Sequence, residues 1–398
     1  MGIWPAFPIV LDLLSLSDLT PYHEDNAMSA LEHPDRVCSI RLYASNSQLG
    51  RMATVMQRPF PAMTCLHITS RDDRVPVLPA KFLGGSAPCL QEIYLLSIPF
   101  PSLPKFLLSA SDLVTLQLHK IPPTGYFSPE EMVACLAALP KLNHFTIKFL
   151  LAEWPDRIRS PPVTRIVLPA LTYFTFQGSS EYLEDLIAQI DSPELDRIHI
   201  IYLNQLGDVS VTRLSKFIDR SAGPELTPFR RAYVSIRNDG VTFILYRQNY
   251  TGWAQLSVGT NISFNVIDGP GHVSHMAAVL SQFSAALSNV VHVKLELHLD
   301  TGYQLEGTDN GEWLHLLHRF STMKSLYVSW TLARHVALAL EVLTAEMAAE
   351  VFPSLHLIFL AGQPESSIEK FIAVRRLSGC PVAMIDTEME FERLVSCQ

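Results

Sequence analysis

Charge is scarce in this chain. Asp, Glu, Lys and Arg make up 17% of its 398 residues, and acidic residues outnumber basic ones to leave a formal net charge of −9. That balance argues against nonspecific binding to nucleic acid or to an anionic membrane, both of which need a basic face. Long apolar runs are missing too: none approaches the ~20 residues that a bilayer-crossing helix requires. The N-terminal "MGIWPAFPIVLDLLSLSDL" is apolar, but no basic stretch precedes it and Asp12 interrupts it, so it does not read as a secretion signal. The expectation is a soluble intracellular protein, cytoplasmic or nuclear. The six cysteines (Cys38, Cys65, Cys89, Cys135, Cys380, Cys397) form no CxxC pair and no short secreted framework. They read as reduced thiols, the first four set within apolar phrases.

Catalytic signatures are equally sparse. "HLDTGY" (298–303) places Asp300 after an apolar strand, as in an aspartic-protease loop. That chemistry needs two such loops sharing a proton; the chain has one, and Tyr303 stands where a small residue is required. His272 and His275, like His315 and His318, are three apart and share a helix face, yet nothing such as HExxH supplies a third metal ligand. "DGPGH" (268–272) fits neither phosphate-loop nor dinucleotide spacing, and no nucleophile elbow is present. These residues read as turn and surface positions. No catalytic, cofactor or metal site is assigned, and a hydrolase using Asp300 or a histidine cluster is the alternative to a binding protein.

What the chain has in abundance is one short phrase: apolar, two arbitrary, apolar, one arbitrary, apolar. It runs through Val37, Ile40, Leu42; Met63, Leu66, Ile68; Leu90, Ile93, Leu95; Leu113, Leu116, Leu118; and Leu142, Phe145, Ile147. It continues with Leu171, Phe174, Phe176; Leu195, Ile198, Ile200; Val290, Val293, Leu295; Met323, Leu326, Val328; and Leu355, Ile358, Leu360. The last two apolar positions alternate with polar ones, the period of a strand with one buried face. Helical segments lie between the phrases, among them "SPEEMVACLAAL" (128–139), which opens on a capping serine, a proline and two glutamates. Neither a lone strand nor so short a helix is stable by itself, but stacked strand–helix units are.

This is the logic of a leucine-rich repeat: an α/β solenoid with a curved parallel sheet and helices on the convex side. The position that usually carries Asn or Cys holds Arg71, Ile98, Ile121, Leu150, Ser179 and Leu203, so the solenoid is expected to be irregular, without an asparagine ladder. Residues 229–267 differ, with alternating runs flanking Asn238-Asp239-Gly240, a hairpin-turn signal, and a further strand pair expected around Gly259-Thr260-Asn261. The expected organisation is an N-terminal segment 1–34 serving as a makeshift cap and a solenoid over 35–398. Within the solenoid lie a β-hairpin-rich segment at 229–267 and a C-terminal cap at 364–398.

The stretches "WPAFPIVLDLL", "SALEHPDRVCSIRL" (29–42), "EWLHLLHRFSTMKSLYVSWTLARHVALALEVL" (312–343), "VFPSLHLIFLAG" and "FIAVRRLSGCPVAM" together resemble the F-box/leucine-rich-repeat-like proteins of mushroom-forming (basidiomycete) fungi. The resemblance covers nearly the whole chain, which reads as beginning after the F-box itself. "FPIVLDLLSLSDL" with Val37-Cys38 mimics an F-box, but the Glu after the proline is missing and no tryptophan follows Cys38. The resemblance implies the substrate-recognition half of an F-box-type ubiquitin-ligase receptor. A Skp adaptor and a cullin are partners only where an F-box precedes these residues.

Binding residues are expected between and beside the apolar positions, on the concave sheet face: His67, Tyr94, His119, His144, Lys148, Tyr173, Arg197, His199, His292, Lys294 and Tyr327, against Glu92 and Glu296 as carboxylates. A basic, His-rich and aromatic face on an acidic chain points to an acidic or phosphorylated protein substrate. Histidine protonation is expected to strengthen that binding between about pH 7 and 6.

Overall fold

The computed structural model describes residues 7–15, 20–72, 77–151, 165–203, 209–221, 228–237, 240–247, 260–265, 272–298, 310–360, 366–385 and 391. The chain divides into two compact units, Met1–Leu195 and Asp196–Gln398.

In the first unit the strands are β1 (Ile9–Leu13), β2 (Val37–Ala44), β3 (Cys65–Ser70), β4 (Glu92–Leu96), β5 (Thr115–Ile121), β6 (His144–Phe149), β7 (Ile166–Val167), β8 (Tyr173–Gly178) and β9 (Ile190–Asp191). β1 to β6 and then β8 pair in parallel in chain order, while β7 and β9 form a short parallel pair of their own. Each phrase has a mechanical reading here. From the second phrase on, its first apolar residue closes a tight turn, donating its backbone N–H to the carbonyl three residues back: Met63 to Phe60, Leu90 to Ala87, Leu113 to Ala110, Leu142 to Leu139. The other two point from the strand into the core, where Leu66, Ile93, Leu116 and Phe145 are fully buried.

Successive turns are tied together as well, Val114 N–H to Gln91 O, Asn143 N–H to Val114 O and Thr172 N–H to Asn143 O. These bonds hold neighbouring strands in register without an asparagine ladder. Helices follow several strands. Ser45 and Ser128 head capping boxes with Gln48 and Glu131, and Ser179 caps the helix Ser180–Ile187. Helix Pro129–Leu136 buries Met132, Val133, Cys135 and Leu136, and Tyr182 packs its ring 4.8 Å from Phe149 of β6. Between β3 and β4 a short 3-10 turn, Phe82–Gly85, takes the helix's place. Gly84 sits there at φ +69, and an added Cβ would lie 2.7 Å from the Pro59 nitrogen.

Residues 1–34 are the segment expected to act as a makeshift cap. Their described part has the strand–helix pattern of the array: β1 pairs in parallel with β2, and helix Pro21–Leu31 buries Ala27 and Leu31. Residues 1–6 and 16–19 fall outside the described residues.

In the second unit the strands are β10 (Arg197–Leu203), β11 (Phe229–Arg237), β12 (Gly240–Arg247), β13 (Thr260–Asn265), β14 (His292–His298), β15 (Ser325–Val328), β16 (Leu357–Leu360) and β17 (Ala383–Ile385). Their order in the sheet is β10-β13-β12-β11-β14-β15-β16-β17. β12 is antiparallel to both neighbours, and the remaining pairs are parallel. The segment after β10 thus enters the sheet as a β11–β12 hairpin, whose turn residues Asn238 and Asp239 lie outside the described residues. At the other end, helix Ser366–Leu377 precedes Gly379 at φ +73, and its Arg375, fully buried, donates Nη2 to the Leu355 carbonyl at 3.0 Å.

The fold is therefore of the leucine-rich-repeat type, α/β with parallel strands at all ten phrases. Among the described residues no helix is long and apolar enough to cross a membrane. Cys38, Cys65, Cys89, Cys135 and Cys380 are free thiols; Cys89 is exposed rather than apolar-packed, because it falls in the turn ahead of β4.

Candidate functional site

Strand alternation turns the residues between the apolar positions away from the buried side. In the first unit the register aligns Asp12, Arg41, His67, Tyr94, Gln117, Thr146 and Thr175 in one row across β1–β6 and β8. A second row holds Cys65, Glu92, Thr115, His144 and Tyr173, and a third carries Leu96 beside His119 and Lys148 beside Gln177. The sequence-predicted His67, Tyr94 and His119 form a ladder of tilted ring contacts, with ring centres 4.0 and 4.9 Å apart. His144 and Tyr173 make a second tilted contact at 4.2 Å. All five rings and Lys148 are half-buried.

The electrostatics of this face follow from that partial burial. His119 is pushed down to about 4, by burial first and then by Lys148, His144 and His67. Burial followed by Arg41 lowers His67, and burial lowers His144 and Lys148 while raising Tyr94. The expected gain in histidine charge between about pH 7 and 6 is therefore corrected: His119 is held neutral across that window, and burial lowers His67 and His144 in the same direction. Fixed charge comes from Arg41, 3.8 Å from Asp12, and from Lys148.

The second unit carries the other predicted residues, and here the face is covered. His292, Lys294 and Tyr327 were expected to project outward, yet they are 6%, 5% and 2% exposed. Tyr233, Ile244, Tyr246, Tyr327, Phe359 and Phe391 form one apolar cluster, with Phe391 5.3 Å from Tyr327 and 4.9 Å from Phe359. Beside it Glu296 accepts from the Tyr233 hydroxyl at 2.7 Å, pairs with Lys294 at 2.9 Å and meets His298 Nε2 at 3.1 Å. Burial pushes the Glu296 carboxyl up, but hydrogen bonds from Tyr233, Lys294 and His298 outweigh it and hold the group below its ordinary value. The Lys294 ammonium also lies 5.0 Å from the Tyr327 ring centre. His292, pushed down to about 4 by burial and then by Arg231, meets Ser325 Oγ at 2.6 Å. These groups are built into the fold. On β10, Arg197 is exposed and pairs with its neighbour Asp196 at 3.6 Å, and His199 is half-buried.

Sequence reasoning missed Asp12, Arg41, Gln117, Thr146 and Thr175, although all but Asp12 occupy the slot between the second and third apolar positions of a phrase. Selecting basic and aromatic residues passed over the hydroxyls and the amide in that same row; Arg41 meets that criterion and was left out with them. Asp300 and Tyr303 lie outside the described residues, as does "DGPG". His275, His315 and His318 are exposed, and among the described residues no group of three His, Cys, Asp or Glu converges.

No family model matches this chain, and no curated protein matches it in sequence. Among solved structures it is similar to the leucine-rich repeat-containing protein LegL7 from Legionella pneumophila, at 13% identity and a TM-score of 0.29, over 95% of this chain and 99% of that one. It is also similar to a chain of the TLR13–ssRNA13 complex, at 11% identity and a TM-score of 0.26, over 82% of this chain and 32% of that one. Likeness this distant carries no functional argument; the fold rests on the strand pairing and turns described above.

Proposed function

We propose that this chain is a non-enzymatic protein-interaction scaffold that holds an acidic or phosphorylated segment of a partner on the strand face of its first unit. The observation that carries the reading is the half-buried ladder of His67, Tyr94 and His119, continued by His144 and Tyr173, with Lys148 beside it. Packed, pre-ordered rings give contact area at small entropic cost, and aromatic anchors next to a cation are what binding hot spots use. Within this reading, the resemblance to fungal F-box/leucine-rich-repeat-like proteins makes the chain the substrate-recognition half of an F-box-type ubiquitin-ligase receptor. A Skp adaptor and a cullin join it only where an F-box precedes these residues.

Arrays of peptides graded in charge test the reading. Native protein should retain peptides bearing Glu or phosphoserine, less so as salt rises from about 50 to 500 mM. Tyr94→Ala combined with Tyr173→Ala should abolish retention while circular dichroism stays unchanged. Retention indifferent to both the double change and salt would overturn it. Co-purification of Skp and cullin with the natural gene product tests the ligase role separately.

A further inference from the structure

We propose that Lys148, His119 and Thr175 form a phosphoryl-binding subsite at one end of this face, which takes the anionic head of the bound segment. The proposal rests on the interaction reading above and names what the segment carries.

Two independent observations converge on it. The first is an orphaned hydroxyl. Thr175 alternates with core residues Phe174 and Phe176, so it faces the same side as Tyr173 and Gln177. It is 2% exposed, and its Oγ1 has no hydrogen-bond partner. Its neighbour in register, Thr146, is by contrast satisfied by His144 Nε2 at 3.2 Å. A buried hydroxyl without a partner is costly to keep, unless something else supplies the partner.

The second observation is uncompensated positive charge. Lys148 sits one strand over, in register with Gln177 and diagonal to Thr175, a spacing that long side chains bridge. No carboxylate pairs with Lys148 among the described residues. The groups acting on His119 are Lys148, His144 and His67, cations or potential cations throughout. The carboxylates on this face, Glu92 on β4 and Asp12 on β1, act instead on Arg41 and His67. This end of the face thus lacks an anion that the other end has.

The number of donors favours a phosphoryl group over a carboxylate. The Lys148 ammonium, the Thr175 hydroxyl and a protonated His119 ring supply three separate donors for three terminal oxygens. Gln117 Oε1 lies 3.2 Å from His119 Nε2 and accepts its proton, so Nδ1 is the atom that gains a proton when a dianion arrives. Binding at pH 7 therefore draws a proton onto His119.

The test is an NMR titration of the histidine ring signals at pH 7, using inorganic phosphate, acetate, a phosphoserine peptide and its glutamate analogue. Phosphate should shift the His119 and His144 signals saturably, and acetate should not. Lys148→Met should weaken phosphate binding by about tenfold, the loss of one charged donor. Thr175→Val should weaken it several-fold while leaving the melting temperature unchanged or higher, because an orphaned hydroxyl is removed without loss of shape. Lys141→Met, which removes an exposed lysine paired with Asp112, serves as a control and should change nothing. The subsite falls if phosphate leaves the rings unmoved, if acetate shifts them as well, or if Thr175→Val binds like native. A phosphoserine peptide that binds more tightly than inorganic phosphate assigns the head to a partner, and equal affinities overturn that assignment. If phosphate fails while the Tyr94 and Tyr173 substitutions still abolish peptide retention, the subsite is wrong and the interaction face stands. If phosphate binds while retention is indifferent to those tyrosines, the subsite stands and the interaction face is wrong.

Discussion

Tyr94 and Tyr327 occupy the same slot of the same phrase, one in each unit, and meet opposite fates. Tyr94 is half-buried in a ladder of histidines; Tyr327 is 2% exposed beneath Phe391 and beside Phe359. The strands beneath them are alike, parallel and apolar on the side facing the core. The difference lies in what the rest of each unit delivers to the outer side. In the second unit β11 and β12 contribute Tyr233, Ile244 and Tyr246, and Phe391 closes the cluster. Side-chain alternation decides which side of a sheet a residue faces. Whether that side is wet depends on segments far away in sequence.

Removing the closing ring should break the contrast most strongly. Phe391 is fully buried, and Phe391→Ala should cost about 3–5 kcal/mol in urea denaturation of the second unit, by loss of transfer energy and by the cavity left behind. Tyrosine fluorescence should report newly exposed Tyr327 and Tyr233. A cost under about 1 kcal/mol would mean that the cluster is loosely packed and that the two faces do not differ in kind.

Next is the charge buried under that cover. Glu296→Ala removes the carboxylate shared by Tyr233, Lys294 and His298. The expected loss is about 3 kcal/mol, at the low end for breaking a buried pair because Glu296 keeps 16% of its side chain exposed. Lys294→Met made in the same background should recover part of it, which a double-mutant cycle reads directly.

Much of this contrast was beyond the reach of the sequence, and the reasons are physical. The ten phrases were legible because each position has a local cause: a tight turn, then two steps of alternating burial. The first strand–helix unit was not read, since β1 lacks the leading apolar turn residue and helix Pro21–Leu31 buries little more than Glu24, Ala27 and Leu31. The ladder could be read because it lies in successive phrases. The covered state of His292, Lys294 and Tyr327 could not, since the cover comes from β11 and β12, well before β14 in the chain, and from Phe391 near the C-terminus. Histidine charge failed for the same reason: partial burial, which no local pattern encodes, sets it.

Acid sharpens the comparison through those histidines. A ring whose folded value is depressed takes up its proton first in the unfolded chain, so its stabilising contribution is complete above about pH 6.5 and fades as pH falls toward its folded value. His292, lowered from 6.5 to about 4, is expected to cost the second unit up to about 3 kcal/mol across that window. From about pH 4.5 downward, protonation of Glu296, whose value is also depressed, adds a further loss. His119 follows the same sign in the first unit, and it is closer to solvent, so its contribution is smaller. Unfolding midpoints at about pH 7, 5.5 and 4.5 should fall in step, and His292→Gln should flatten most of the slope. A slope that survives His292→Gln unchanged would place the proton uptake elsewhere.

The smallest expected effect is the one that decides what the open face is for. Tyr94→Ala removes a ring packed 4.0 Å from His67 and 4.9 Å from His119, where solvent still reaches. An aromatic pair of this kind contributes about 0.5–1.5 kcal/mol beyond area, so the stability cost should stay near that range and far below that of Phe391→Ala. If Tyr94 served mainly to hold the fold, its removal would be as damaging as loss of a core ring. A binding anchor behaves the other way round, with slight effect on unfolding and a large one on peptide retention. Measured side by side on the same variant, the two numbers should therefore diverge, and comparable losses in both would return Tyr94 to the core of the first unit.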